Sequence, residues 1–145
     1  MDTILMVYAP RAEHEWNEAA LARLHELAAG RAGWAIPWPC MHEFIGIVIV
    51  TRPKVSSPPS TLKQAAAQIE SWTGSPSLTL IGESPQHWAT LLRIASQAKA
   101  RGAAIHDARI AAICLDHGVR ELWTADRDFL RFPGLRVRNP LVDAP

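Results

Sequence analysis

The segment Ile105–Phe129, "IHDARIAAICLDHGVRELWTADRDF", carries four aspartates, at positions 107, 116, 126 and 128, within or beside apolar runs. Converging carboxylates repel one another unless a proton or a cation intervenes. Hard oxygen ligands select Mg²⁺ or Mn²⁺, and Mg²⁺ typically takes one or two carboxylates and keeps several waters. Such an ion can stabilise charge on phosphoryl oxygens and prepare water for attack on a phosphodiester. Glu43, in the apolar stretch "CMHEFIGIVIVT", is a further candidate.

Each acid also has a plainer role to offer. Asp107 opens a helical pattern, where the partial positive charge of a helix start favours an anion. Asp126 and Asp128 suit a turn in "TADRDF". Asp116 lies nine residues beyond Asp107, two and a half helical turns on, and is expected to point elsewhere, at the surface. Glu43 resists such a reading, because an unpaired carboxylate in a buried segment is costly.

The elements that must position these acids alternate. "EHEWNEAALARLHELAA" repeats apolar residues at helical spacing through Trp16, Ala20, Leu24 and Leu27, and Gly30 stops it. Trp34–Ile36 reads as a short strand. The stretch Cys40–Thr51 is β-branched, yet Pro39 suits a helix's first turn, and Glu43, Ile47 and Val50 share a helical face. "RPKVSSPPS" is a loop by composition. Thr61 and Gln64 have capping-box spacing ahead of "LKQAAAQIESW". "SLTLI" reads as a strand. Ser84 and Pro85 open a helix that turns Trp88, Leu91, Leu92 and Ala95 inward and ends at Gly102. A helix over Ala104–His117 is closed by Gly118, and "ELWT" and "LRVR" follow as strands. Alternating strands and helices predict an α/β, three-layer domain with a central parallel sheet flanked by helices. Ligands in such sheets gather outside the carboxyl ends of the strands, where Glu43, Asp107 and Asp126 are expected to fall.

A chain of 145 residues fits one domain, residues 1–145, with a real core. A net charge of +1 gives no global basic field of the kind that announces a nucleic-acid binder. Local basic clusters remain, at Arg52, Lys54 and Lys63 and at Arg127, Arg131, Arg136 and Arg138. The two cysteines, Cys40 and Cys114, lack metal-ligand spacing and read as small buried hydrophobes in a reducing compartment. With no apolar run of transmembrane length and no secretory signal pattern, the expected location is cytoplasmic, with no membrane partner.

"HDARIAAICLDHG" followed by "LWTADRDFLRFPGLRVRNP" resembles the C-terminal half of PIN-domain ribonucleases, specifically VapC-type toxins of toxin–antitoxin pairs. "EFIGIVIVTRP" resembles that family's segment after its second strand, and "DTILMVYAP" its N-terminus, so the likeness spans nearly the whole chain. The resemblance implies an acidic cluster of Asp2, Glu43, Asp107 and Asp126 that binds Mg²⁺ or Mn²⁺ and cleaves RNA. It casts Asp2, Asp107 and Asp126 as metal ligands and Glu43, Asp107 and Asp126 as catalytic. Thr124 is implied to hydrogen-bond an acid, Asp128 to be an outer carboxylate, and His106 stands beside the cluster. The implied partners are an RNA substrate, a cognate antitoxin and a second copy of the chain. One or two of the six tryptophans are candidates to line an antitoxin groove. A non-catalytic binding module, or a metal-dependent phosphatase or DNA nuclease, are the other functions this chemistry admits.

In the family an apolar strand precedes the first aspartate, whereas here only Met1 precedes Asp2. Either Asp2 keeps its place and "ILMVYA" is helical, or "ILMVY" is itself the strand and Asp2 lies at its far end, or the true start lies upstream of Met1.

Overall fold

The computed structural model describes residues 1–50 and 58–142. Arg52 and Lys54, with most of the expected loop, fall outside the described residues. Among the described residues, six helices and four short strands follow one another as α1 (Thr3–Tyr8), α2 (Asn17–Ala29), β1 (Trp34–Pro37), α3 (Trp38–Val48), α4 (Leu62–Thr73), β2 (Leu78–Ile81), α5 (His87–Gln97), α6 (Ala104–Asp116), β3 (Leu122–Trp123) and β4 (Val137–Arg138). A 3-10 helix at Arg127–Arg131 separates β3 from β4.

The strands form two parallel pairs, β1 with β2 and β3 with β4. The N-terminus lies between them. The Met1 ammonium donates to Ala35 O at 2.8 Å, and Asp2 N–H donates to Trp123 O at 3.0 Å. The parallel sheet expected from the sequence is therefore divided in two, and the first two residues bridge the halves by hydrogen bonds. Immediately after them the chain turns into α1. Of the N-terminal alternatives, the helical one is the one found. Its apolar residues Leu5, Met6 and Val7 are buried where α1 packs against α2 and α3.

Local chemistry explains the helix boundaries. α2 starts at Asn17 rather than Glu13, because Asn17 is drawn inward to donate from Nδ2 to Ala9 O at 2.7 Å, satisfying the end of α1. Pro39 sits in the first turn of α3, where its missing N–H costs nothing. The capping box of α4 is complete: Gln64 N–H donates to Thr61 Oγ1, and Thr61 N–H donates to Gln64 Oε1 at 2.8 Å. α5 ends at Gln97, short of Gly102, after which Lys99 adopts a left-handed φ of 52°. Gly118 follows α6 at φ 64°, a conformation that favours glycine at a helix end.

Two expectations on α5 and α6 are corrected. Trp88 and Leu92 do not point inward; they are 67% and 51% exposed, while His87 and Ile94 on the opposite face are buried. Asp116 is not a surface residue, since its side chain is only 7% exposed. It accepts from Ser84 Oγ at 2.7 Å and from Thr90 Oγ1 at 2.6 Å, which ties the C-terminus of α6 to the start of α5. Two charge-assisted hydrogen bonds are what make that burial tolerable. No helix among the described residues is long and apolar enough to cross a membrane.

Candidate active site

Four elements bring the predicted acids to one cavity of about 320 Å³ at the carboxyl ends of β1 and β3. Asp2 enters from the N-terminus, Glu43 from α3, Asp107 from the first turn of α6 and Asp126 from the turn after β3. Thr3, Ile47, Ile110 and Phe129 also line it. α3 presents Glu43 because its other face buries Cys40, Met41, Phe44 and Val48. α6 presents Asp107 because Ala108 and Ile110–Cys114 are drawn into the core.

Asp2 is the anchor of the group, at 5% exposure. Thr124, itself 1% exposed, donates from Oγ1 to Asp2 Oδ2 at 2.6 Å. The same hydroxyl oxygen accepts from Asp126 N–H at 2.9 Å, so Thr124 fixes two acids at once. Cys40 Sγ lies 3.8 Å from Asp2 Oδ1. Burial raises the Asp2 carboxyl above its usual range, and the Glu43 charge adds to this. Asp107 is half-buried and also raised, first by desolvation and then by the charges of Asp126, Asp128 and Asp2. Two carboxyls raised first by burial and then by neighbouring negative charge mark a place that favours a positive charge.

Glu43 is exposed at the rim and accepts from Thr3 Oγ1 at 2.6 Å. This contact answers how an acid is carried in so apolar a segment: the helix side it occupies faces solvent. Asp126 is exposed, and its Oδ1 accepts from Asp128 N–H at 2.8 Å, capping the 3-10 helix. The turn-forming role and a place at the cavity thus coincide in one residue. Asp128 does not line the cavity; it pairs with Arg131 at 2.7 Å. His106 is exposed and also absent from the lining. Thr3 and Cys40 were not among the expected residues. Only Thr3 had a signal in the sequence, as a hydroxyl beside the first acid.

Among the described residues no three acidic, histidine or cysteine side chains meet closely enough to cage an ion. The donor set is nevertheless all oxygen, as a hard divalent cation requires. An ion that keeps several waters needs only one or two of these carboxylates, so the residues fit Mg²⁺ or Mn²⁺.

A protein called VapC ribonuclease Mb2897, from Mycobacterium bovis, is 30% identical to this chain over 141 residues, covering 97% of the chain and 94% of its own length. The chain belongs to the VapC ribonuclease family. Ribonuclease VapC48 from Mycobacterium tuberculosis is 29% identical over 139 residues, covering 96% of this chain and 94% of its own. A chain in the crystal structure of VapBC2 from Rickettsia felis, bound to a DNA fragment from their promoter, superposes with a TM-score of 0.68 over 94% of both chains. At 19% identity that match speaks for the fold alone, a VapC-type PIN domain. No family model matches the chain.

Thr124→Val keeps the side chain's shape and removes its hydroxyl. It takes from buried Asp2 its Thr124 donor and from Asp126 N–H its acceptor, and is expected to lower stability by about 1–3 kcal/mol. Thr124→Ser is expected to recover most of the loss. Denaturant unfolding of both variants measures this; a valine variant as stable as the parent would show that the hydroxyl holds nothing.

Proposed function

We propose that this VapC-family protein is a Mg²⁺- or Mn²⁺-dependent endoribonuclease that acts as the toxin of a toxin–antitoxin pair. The observation that carries the reading is the convergence of Asp2, Glu43, Asp107 and Asp126 on one cavity, with Asp2 and Asp126 held by the same threonine hydroxyl.

In this reading Asp2, Asp107 and Asp126 hold the ion, and Glu43 stands at the open rim where a substrate phosphate and water enter. A bound divalent cation would supply positive charge to the phosphoryl oxygens and lower the pKa of a coordinated water. The chain's own contribution is placement. Thr124 keeps Asp2 and Asp126 in register, and Thr3 steadies Glu43 so that its free oxygen can take a proton. Arg127 and Arg131 on the 3-10 helix put positive charge beside the acids, where the phosphates flanking a cleaved bond would lie. A cognate antitoxin and a second copy of the chain are the proposed protein partners. The exposed Trp88 and Leu92 on α5 give an apolar face suited to one of them.

The test is cleavage of total cellular RNA by the purified protein, with and without Mg²⁺, followed by mapping of the cut ends. The expected result is a small set of discrete ends that disappears with chelator. Intact RNA under both conditions, from a folded protein free of antitoxin, would remove the assignment.

A further inference from the structure

The cavity that holds the acids has more room than an ion needs. A divalent ion with six oxygen ligands, at about 30 Å³ each, fills roughly 180 Å³, whereas the cavity measures about 320 Å³. The space beside the acids is walled by Ile4 and Tyr8 of α1 and by Ile47 of α3, all half-buried. Ile4 and Tyr8 are four residues apart, as are Glu43 and Ile47, so each pair shares one side of its helix. α1 packs against α3, which brings the two pairs together. One side of the cavity is therefore acidic and the other apolar.

Tyr8 is the flat member of that wall. Its ring stacks on His14, with centroids 3.9 Å apart and planes inclined by 18°. His14 is itself fixed, because its Nδ1 accepts from Trp16 N–H at 3.1 Å and its own N–H donates to Arg11 O at 2.9 Å. An aromatic pair held in this way is set before any ligand arrives, which lowers the cost of binding. With one face against His14, Tyr8 keeps its other face and its edge for the cavity it lines. We propose that the Ile4–Tyr8–Ile47 wall is a base pocket, in which the nucleobase beside the phosphate held at the acids lies against Tyr8 with His14 behind the ring. The proposal rests on the reading of the cavity as a site of RNA cleavage. Its occupant must bring an anionic group to the ion and a flat, uncharged group to the wall next to it, and a nucleotide carries both in one unit. Unpaired bases are the ones that splay out onto aromatic side chains. Stacking accepts every base, so the pocket selects single-stranded over paired RNA rather than one sequence.

Tyr8 is the chain's single tyrosine, so labelling with 3-fluorotyrosine gives one fluorine resonance that reports this ring. The full protein in Mg²⁺ is titrated with a mixed-sequence 2′-O-methyl RNA hexamer and with a base-free hexamer of the same backbone. The first is expected to shift the resonance saturably, and the second to leave it in place although it carries the same phosphates. Tyr8→Leu should weaken binding of the base-bearing hexamer, read by fluorescence anisotropy, by about 5–150-fold, the range for one lost base–aromatic stack. Its Mn²⁺ affinity should stay that of the parent, and Tyr8→Phe should recover most of the lost RNA binding. Equal shifts with both hexamers, or hexamer binding that Tyr8→Leu leaves intact, would overturn the proposal. So would a resonance that ignores the base-bearing hexamer, which would leave the wall to a protein segment. Cleavage is not read, so a parent that cuts RNA while its Tyr8 resonance ignores the bases loses only the base pocket, and one that shows the shift but leaves cellular RNA intact loses only the catalytic reading.

Discussion

Asp107→Asn is expected to reduce divalent-ion-dependent RNA cleavage by roughly 10²–10³-fold, the scale for losing one well-placed electrostatic group. The fold should survive, because Asp107 lies in the first turn of α6, where asparagine keeps the shape. Without metal, the variant should be as stable as the parent or more so. Burial, followed by the Asp126, Asp128 and Asp2 charges, holds the Asp107 carboxyl above its ordinary range. For an acid raised in this way the folded state binds the proton more tightly than the unfolded state does. The parent's stability deficit is therefore full above the folded pKa and is relieved as the pH falls through it towards the unfolded value, near 4. Asparagine removes that deficit, so metal-free parent and variant should differ most at neutral pH and converge in acid. Thermal melts in chelator across pH 3–7 measure the second effect, and cleavage assays the first. A well-folded variant with full activity would take Asp107 out of the mechanism.

Much of this site is legible in the sequence, because helix starts and strand ends leave local marks. Asp107 sits one turn into a segment whose alanines and isoleucines can only be core, and Asp126 follows a strand that Thr124 closes. The capping box at Thr61 is purely local and forms as its spacing dictates. What escaped depends on partners distant in sequence. The nine-residue step from Asp107 to Asp116 says only that Asp116 faces elsewhere; that it faces Ser84 and Thr90 rather than water depends on how α5 packs on α6. Trp88 and Leu92 share one side of α5, and periodicity alone does not tell an inward apolar side from an outward one. "ILMVY" satisfies helix and strand patterns equally. The helix is chosen by burial against α2 and α3 and by Asp2 reaching Trp123, neither of which has a local signal.

Phe44→Ala is expected to be the most damaging core change next to the site. Phe44 is 1% exposed and meets Trp72 edge-to-face, with ring centroids 5.0 Å apart. Truncating a buried phenylalanine costs about 3–5 kcal/mol, a large share of the roughly 5–15 kcal/mol that holds a domain of this size together. Because Phe44 belongs to the buried face of α3 whose packing presents Glu43 to the cavity, cleavage should fall together with stability. Phe44→Leu, which fills most of the space, should cost far less. Urea unfolding gives the comparison, and a loss under about 1 kcal/mol for the alanine variant would mean that the α3–α4 contact carries little of the fold.

Calorimetric titration of Mn²⁺ into the purified, chelator-treated protein asks directly, without RNA, whether the acids gather around a cation. The predicted result is a saturable binding event in the parent that is lost or weakened at least tenfold in Asp107→Asn and in Asp2→Asn. No binding to the folded parent, or binding that both variants retain unchanged, would contradict it.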